Sequence, residues 1–482
     1  MITFRPVLFV VGILLVTLAA AMVIPALVDI GYDNPDWQVF ATSSGITMFV
    51  GLALVLSCRS HRFRLNLRQA FVMTALSWLT LTLFAALPFR FSELDLSATD
   101  AVFEAMSGIT TTGSTVIIGL DTAPPGILVW RGLLQWLGGL GIIVMAISVM
   151  PMLGVGGMQM FRVEAFETGE KLLPRAAQIS AALSLIYAGL TLACAVALYL
   201  AGMNWLDAGV HAMTAVATGG FSTRDASVGA FASAQIDAII TIAMLAGSLP
   251  FLLYLRTIQG EGRALVHDSQ VRWFFAIAGG AVAIASVFVW SEVGLSPAES
   301  LRYGAFNVVS VMTGTGYATS DYWQWGAFAG PTFFFLMFIG GCTGSTTCGI
   351  KIFRFQVLQA AADTQFRHLY QPHGVFIPYY NGRPIPEDVV HSVLSFFFVF
   401  GVCFAVLAVA LGMLGLDMVT AISSAATAIC NVGPALGPIA GPAGTFQQFP
   451  DAAKWLLSAG MLLGRLELFT ILILFSPSFW RG

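Results

Sequence analysis

The sequence predicts an all-α polytopic membrane protein with ten transmembrane helices, in which an N-terminal helix pair precedes four parallel helix–loop–helix repeats. Hydrophobic residues make up 57% of the 482 residues and charged residues only 10%, whereas a soluble protein carries roughly 25% charged residues. Ten apolar runs approach the ~20 residues that a helix needs to cross a bilayer. Four further apolar segments are too short to cross, and they recur along the chain.

The ten predicted spans differ in length, and some of them are short. The first could pass for a signal peptide, but its apolar run exceeds the core of about 7–15 residues that such peptides have. Because a second span follows, we expect a retained helix. The spans centre on Val7–Val28, Phe40–Leu56, Phe71–Leu87, Ile127–Val149, Ile179–Leu200, Ala238–Leu255, Phe274–Val289, Thr332–Gly349, His391–Leu411 and Trp455–Phe475.

The few charged residues predict an orientation. With both termini inside, 16 of the 22 basic residues fall on inner segments, as expected from the positive-inside rule. On the same assignment, 16 of the 25 acidic residues fall outside, where they would concentrate cations at an external mouth. The excess of acidic residues outside is explained equally well if acidic residues only keep their segments from being retained inside. The net charge of −3 and the absence of a basic footprint exclude nucleic acid as a partner.

Each short apolar segment lies between the two helices of a repeat, on the predicted outer side, and ends in a glycine turn. The segments are residues 100–114, 207–221, 300–317 and 417–434, and each begins with a residue suited to N-capping, namely Asp100, Asp207, Ser300 and Asp417. The predicted units are residues 1–66 for the N-terminal pair and residues 67–152, 153–258, 259–356 and 357–482 for the repeats.

These segments predict pore loops. Non-helical backbone at membrane depth must be buried in protein or line a water-filled path, and glycine lets the chain turn back with its carbonyls exposed. Potassium filters are built from four TVGYG loops, and residues 313–317 read TGTGY. For one loop alone, helix packing through small residues is the simpler explanation, but packing does not predict four loops on one side of the membrane.

The four loop motifs resemble those of the TrkH-type membrane subunit of the Trk/Ktr/HKT potassium-uptake superfamily, and the similarity covers residues 100–475. The resemblance implies a potassium-binding selectivity filter in which Gly113 favours potassium, since serine at that position accompanies sodium permeation. The implied filter residues are Thr111, Thr112, Gly113, Ser114, Ala217, Thr218, Gly219, Gly220, Gly314, Thr315, Gly316, Tyr317, Asn431, Val432, Gly433 and Pro434.

The eighth span is rich in Gly, Ser and Thr, which support a straight helix poorly. Close helix packing through small residues explains the composition as well as a break does. The resemblance implies a gating loop below the filter, formed by Gly340, Gly341, Thr343, Gly344, Ser345, Thr346, Thr347, Gly349 and Lys351.

Arg465 is a lone basic residue near the middle of a span, where a charge is costly unless it faces water or a partner. The resemblance implies a positive pore barrier, and a carboxylate partner on another helix is the structural alternative. Glu467 would face another side of the helix. For Glu104, in the first short segment, anchoring that segment is favoured over ion binding.

The expected function is potassium uptake across the bacterial inner membrane through a gated, channel-like pore, with potassium ion as the substrate. A proton- or sodium-coupled potassium symporter is the alternative, and inverted repeats would be typical of it. We expect no enzymatic activity, because the spans contain no nucleophile–base pair, metal cluster or phosphate loop. The resemblance also implies a homodimer in contact with membrane lipid, and a cytosolic TrkA-like regulatory ring that binds ATP/ADP or NAD.

Overall fold

The computed structural model describes residues 3–59, 66–148 and 172–481. Helices dominate this part of the chain, with one two-residue hairpin, Tyr379–Tyr380 paired with Arg383–Pro384. The helices are α1 Arg5–Gly31, α2 Trp37–Cys58, α3 Leu67–Phe91, α4 Ala98–Ile109, α5 Pro125–Ser148, α6 Leu172–Leu200, α7 Trp205–Val216, α8 Ala234–Gly247, α9 Phe251–Ile258, α10 Ala264–His267, α11 Ser269–Phe288, α12 Pro297–Met312, α13 Ala329–Phe338, α14 Ile352–Tyr370, α15 Glu387–Met413, α16 Met418–Cys430, α17 Asp451–Arg465, α18 Phe469–Leu472 and α19 Pro477–Arg481.

Seven of the described helices are long and apolar enough to cross a membrane: α1, α2, α3, α5, α6, α11 and α15. Two of the predicted spans are bent rather than straight. The span predicted at Ala238–Leu255 is α8 and α9, which meet at 91°, and the span at Trp455–Phe475 is α17 and its continuation to Phe475, which meet at 107°. Counting each bent pair once gives up to nine spans in the described residues.

Local sequence explains both bends. Pro250 precedes α9 and fixes the backbone there, and its ring disfavours a helical conformation for the residue before it. In the second case, Glu467 and Leu468 adopt positive φ angles of 60° and 44°, which a right-handed helix does not allow.

The span predicted at Thr332–Gly349 is not one continuous helix. Only the ten residues of α13 are helical, and the chain is irregular from Ile339 to Lys351. The expectation that this stretch supports a straight helix poorly is confirmed. The count of ten spans stays a prediction.

Glycine allows the N-terminal pair to pack closely. A Cβ atom at Gly12 would lie 2.9 Å from the carbonyl oxygen of Gly51, and one at Gly51 would lie 3.0 Å from that of Gly12. Helices α1 and α2 therefore meet backbone to backbone, as membrane helices do where small residues face each other. Beyond this pair, α1 also contacts α3 and α5, which are the helices that flank the first short segment.

Candidate ion pathway

Four short helices, α4, α7, α12 and α16, carry the segments that the sequence singles out. Each is capped by a side chain that accepts a hydrogen bond from a backbone N–H three residues later, which satisfies a donor at the helix start. Asp417 is confirmed as such a cap, but Asp100, Asp207 and Ser300 are not. The caps of the other three helices lie three or four residues earlier, where the backbone is still extended: Ser97, Asn204 and Ser296.

All four short helices end in the same backbone turn. A backbone N–H just beyond each helix donates to the carbonyl five residues earlier, at 2.8–3.1 Å. The donors are Thr112, Gly219, Thr315 and Val432. In each turn the residue before the donor has a positive φ (Thr111, Thr218, Gly314 and Asn431), and so does the glycine after it (Gly113, Gly220, Gly316 and Gly433).

This equivalence corrects the predicted register of the second loop by one residue. The predicted filter aligns Gly219 with Gly113. The structure shows instead that the Gly219 N–H is the donor of its turn, and that Gly220 has the left-handed φ of 78°. Ala217 therefore belongs to the helix end, and Phe221 takes the place that Tyr317 has in the third loop. The sequence is ambiguous here because two glycines are adjacent, and only backbone geometry separates them.

The four loops meet in a closed ring, which we call the glycine ring: Gly113, Gly220, Gly316 and Gly433. A Cβ atom on each glycine would collide with a carbonyl oxygen of the next loop in chain order, and the fourth loop abuts the first. The distances are 2.3 Å from Gly113 to Gly219 O, 1.8 Å from Gly220 to Thr315 O, 2.0 Å from Gly316 to Val432 O and 2.8 Å from Gly433 to Thr112 O. Only glycine fits such approaches.

A cavity of about 220 Å³ lies against the glycine ring, and all four ring glycines line it. The side chains of Ser114, Arg131, Arg224 and Asp225 also line this cavity, which is therefore polar. The C-terminal ends of the four short helices lie on the other side of the ring from this cavity. Because the carbonyl ends of short helices carry a partial negative charge, the ring and the four helix ends together form a site of negative potential.

Gln135, on α5, holds the second loop from behind, and the sequence reasoning missed it. Its side-chain amide donates to Gly219 O at 2.6 Å and accepts from the backbone N–H of Phe221 at 3.0 Å. The side chain is fully buried. One of the four carbonyls that the ring glycines approach is thus already hydrogen-bonded. A lone glutamine in an apolar span was the available signal, since a buried amide needs partners.

Other side chains join neighbouring loops. The side-chain amide of Asn431 donates to the Thr112 hydroxyl at 2.8 Å, and Ser114 donates to Gly433 O at 2.7 Å. Tyr317 shares a short hydrogen bond with Thr214 and stacks on His211. These bonds link residues up to 319 positions apart, so the loops support one another.

Glu104 anchors the first loop, as expected. It accepts from Arg131 Nε at 2.8 Å and from the Val116 backbone N–H at 3.0 Å. Arg131, which the sequence places on an outer segment, is buried within α5 and also donates to Ser222 O at 2.7 Å. This buried pair therefore joins α4 and α5 to the first and second loops.

We expect Glu104→Gln to destabilise the protein strongly, because it leaves the Arg131 charge buried without its carboxylate. Breaking such a pair costs about 3–5 kcal/mol. Thermal unfolding in detergent would measure the loss. The matched control is Asp95→Asn, which removes the partner of Arg90 in an exposed pair 3.5 Å long and should change the unfolding temperature little. Equal effects of the two substitutions would contradict the anchoring role.

The predicted gating loop packs against the ends of α7 and α8, and its residues are not among those that line the large cavity. It folds back on itself, since Gly340 N–H donates to Ile350 O and Ile350 N–H donates to Phe338 O. At its tip, the fully buried Thr346 hydroxyl lies 3.1 Å from Val216 O, 2.9 Å from Gly247 O and 3.1 Å from the Thr218 hydroxyl.

The remaining predicted gating residues lie in the same fold. Gly344 and Gly349 have positive φ angles, and Lys351 donates to Thr347 O. The loop is almost entirely buried, including the side chains of Thr343, Ser345 and Thr347.

Arg465 contacts the gating loop rather than a carboxylate. Within the described residues its guanidinium donates to Thr346 O at 3.2 Å, to the Cys348 sulfur, and to Gly138 O at 3.0 Å. The predicted carboxylate alternative is therefore wrong for the part of the chain that the structure describes. Glu467 does face another way: it pairs with Arg354.

A small cavity of about 20 Å³ lies beside the contact between Arg465 and the gating loop, and it is lined by Gly344, Thr347, Cys348 and Lys351, among others. It is barely large enough for one water molecule. Two basic side chains, Lys351 and Arg465, and the buried loop thus surround this small cavity.

Comparisons with known proteins agree with this geometry. A family model described as a cation transport protein, TrkH, matches residues 36–481. The Trk system potassium uptake protein TrkI of Halomonas elongata is 47% identical over 480 residues, which cover 99% of this chain and 97% of that protein. TrkH of Escherichia coli K12 is 37% identical, with 99% of both chains covered. The crystal structure of the potassium transporter TrkH from Vibrio parahaemolyticus, 36% identical, has a TM-score of 0.93 and covers 100% of both chains.

These matches confirm the resemblance to TrkH-type membrane subunits. The chain belongs to the TrkH family of cation transport proteins.

Proposed function

We propose that this protein takes up potassium through a gated, channel-like pore whose selectivity filter is formed by four loops. The observation that carries the proposal is the glycine ring, in which each loop abuts the next and the fourth abuts the first. Rings of backbone carbonyls replace the hydration shell of potassium in known filters. The names of the relatives, which are potassium uptake proteins, support potassium as the substrate.

The filter in this proposal uses the corrected register. The ion-facing backbone is that of the turn donors and the ring glycines, and the fourth loop, Asn431 to Pro434, departs most from the potassium pattern. The family resemblance implies that Gly113 favours potassium over sodium, and a side chain at this position would press on Gly219 O. The large cavity beside the ring is then the outer vestibule, and acidic outer loops supply cations to it.

The gating loop and Arg465 form the closed barrier below the filter. Uptake is driven by the membrane potential, which contributes about 2.3 kcal/mol per charge per 100 mV. Opening requires the tip at Thr346 to leave Val216 and Gly247, and Arg465 to leave the loop. Because Arg465 bonds to the loop directly, movement of the loop also breaks the Arg465 contacts with Thr346 O and Cys348.

A proton- or sodium-coupled potassium symporter is the second candidate function. The meeting of all four turns in one ring, each against the next in chain order, favours parallel repeats, whereas inverted repeats with broken helices are typical of coupled transporters. A membrane enzyme is not supported, because the family consists of cation transporters.

Potassium flux in proteoliposomes tests the proposal. A channel gives a reversal potential that follows the potassium gradient alone. A reversal potential that shifts with the proton or sodium gradient at constant potassium would favour the symporter. The absence of potassium flux under every gradient would contradict both.

The proposed assembly is a homodimer in the inner membrane with both termini in the cytoplasm. A cytosolic TrkA-like ring that binds ATP/ADP or NAD would dock on the basic inner face. The family places the chain among the membrane components of Trk systems, which supports such a partner. Flux with and without the ring, at saturating nucleotide, tests the regulation separately from the pore.

Gln135→Leu should lower the potassium-to-sodium permeability ratio several-fold, because the second loop loses both hydrogen bonds that hold it. Bi-ionic reversal potentials in proteoliposomes measure the ratio. Gln69→Leu is the matched control, since Gln69 is also buried but bonds to Thr3 and Asn66, away from the ring. An unchanged ratio in folded Gln135→Leu protein would show that the loop does not depend on this side chain.

A further inference from the structure

A second large cavity lies outside the pathway, between α1, α3 and α5. Its volume is about 360 Å³, within the range of small-molecule sites. Among the described residues no charged side chain lines it, and most of its lining is aliphatic or aromatic, including Val10, Leu14, Met73, Leu140 and Val144. We call it the lateral groove.

The lateral groove is continuous with the surface that faces the membrane. All three helices that form it are long enough to span a bilayer, and the neighbouring side chains Ile13 and Leu79 are 43% and 44% exposed. The hydroxyls of Thr17 and Thr74 donate to carbonyls of their own helices, so these two residues present methyl groups. The hydrocarbon chains of the bilayer therefore have direct access.

The buried end of the lateral groove lies next to Arg465, which belongs to the proposed barrier. Trp78, Ile109 and Gly138 line it. The Trp78 ring lies 5.8 Å from the guanidinium carbon of Arg465, Gly138 O accepts from Arg465, and Ile109 is the last residue of α4. An occupant of the groove would be one side chain away from both Arg465 and the first loop.

We propose that the lateral groove binds a hydrocarbon chain of a membrane phospholipid, and that the bound chain supports Trp78 against Arg465. An empty apolar groove of this size would leave its lining without contacts, while a lipid chain fills it without a charge or hydrogen-bond requirement. The binding site stands independently of the proposed pore. The effect on transport rests on the proposed function.

Brominated phospholipids test the binding, because bromine on an acyl chain quenches the fluorescence of a tryptophan that it touches. The full chain is reconstituted in bilayers with brominated or ordinary acyl chains, and the contribution of Trp78 is the difference between the parent protein and Trp78→Phe. Trp78 is only 7% exposed, so quenching requires a chain inside the groove. We expect quenching of Trp78 in the parent protein.

Filling the groove should abolish that quenching. Within the part of the chain that the structure describes, a Cβ atom at Gly141 would meet only Trp78, at 3.9 Å, so Gly141→Leu adds a side chain at the groove with room for its Cβ, and Val144→Phe fills the groove from the next turn. Gly280→Leu on α11 is the control, because its Cβ would meet nothing within 4 Å. We expect at least a twofold loss of Trp78 quenching in either filled variant and none in the control.

Three results would overturn the inference in whole or in part. Unquenched Trp78 in the parent protein, or equal quenching in the two filled variants and the control, would refute lipid binding. Reduced quenching with unchanged potassium flux would refute the support of Arg465 while leaving the site. Because quenching does not require transport, its result stands even if the protein conducts no potassium.

Discussion

Gly113→Ser is expected to lower the potassium-to-sodium permeability ratio about tenfold, a difference of about 1.4 kcal/mol in selectivity. A Cβ at this position would lie 2.3 Å from Gly219 O, and the φ angle of 89° strains any residue but glycine. The first two loops must separate, so their carbonyls coordinate potassium less well. Bi-ionic reversal potentials in proteoliposomes measure the ratio.

Gly119→Ser is the matched control for this substitution. Gly119 follows six residues later in the same loop and also has a positive φ of 75°, but its nearest neighbour is the Thr122 hydroxyl at 3.9 Å. It therefore carries similar backbone strain without pressing on the ring, and its permeability ratio should stay close to that of the parent. Unchanged relative permeabilities in Gly113→Ser would count heavily against the filter assignment.

Deleting Thr343–Thr347 is expected to raise basal potassium flux several-fold. The deletion removes the tip that contacts Val216 and Gly247 and the carbonyl that accepts from Arg465. The loop tip is lost and Arg465 loses one of the contacts that hold it, so the pathway no longer closes fully. Potassium or rubidium uptake into proteoliposomes without any partner or nucleotide measures basal flux.

A single substitution refines the deletion experiment. Thr346→Val removes the hydroxyl contacts but keeps the carbonyl, so it should raise flux less than the deletion does. Thr241→Val is its control, since the Thr241 hydroxyl bonds only within its own helix, to Asp237 O. A deletion protein that folds yet stays closed would refute the gating role of this loop.

Much of the fold was predictable because hydropathy is a local property. Seven long helices and four short ones lie where the apolar runs indicate. The bends at Ser248–Pro250 and at Glu467–Leu468 were missed for different reasons. Pro250 marks the first bend in the sequence, while the second bend has no proline or glycine at the two residues with positive φ.

The candidate site was predictable in composition but not in detail. The glycines of the four loops and the lone charge at Arg465 stand out because each destabilises a membrane helix unless it has a structural or functional role. The caps Ser97, Asn204 and Ser296 were missed because several polar residues near each helix start qualify equally. Only the extended backbone at the true cap distinguishes them.

The amino-acid sequence alone thus predicts membrane residence, the positions of the helices and the four glycine turns. It can do so because composition and residue type act over a few neighbouring positions. The tertiary structure was needed for the register of the second loop, the order of the glycine ring, the partners of Arg465 and the role of Gln135. Local backbone geometry decides the register of the second loop, and the other three features depend on carbonyls and side chains that lie 84 or more positions apart. Such atoms meet only when the helices pack, and packing is a property of the whole chain.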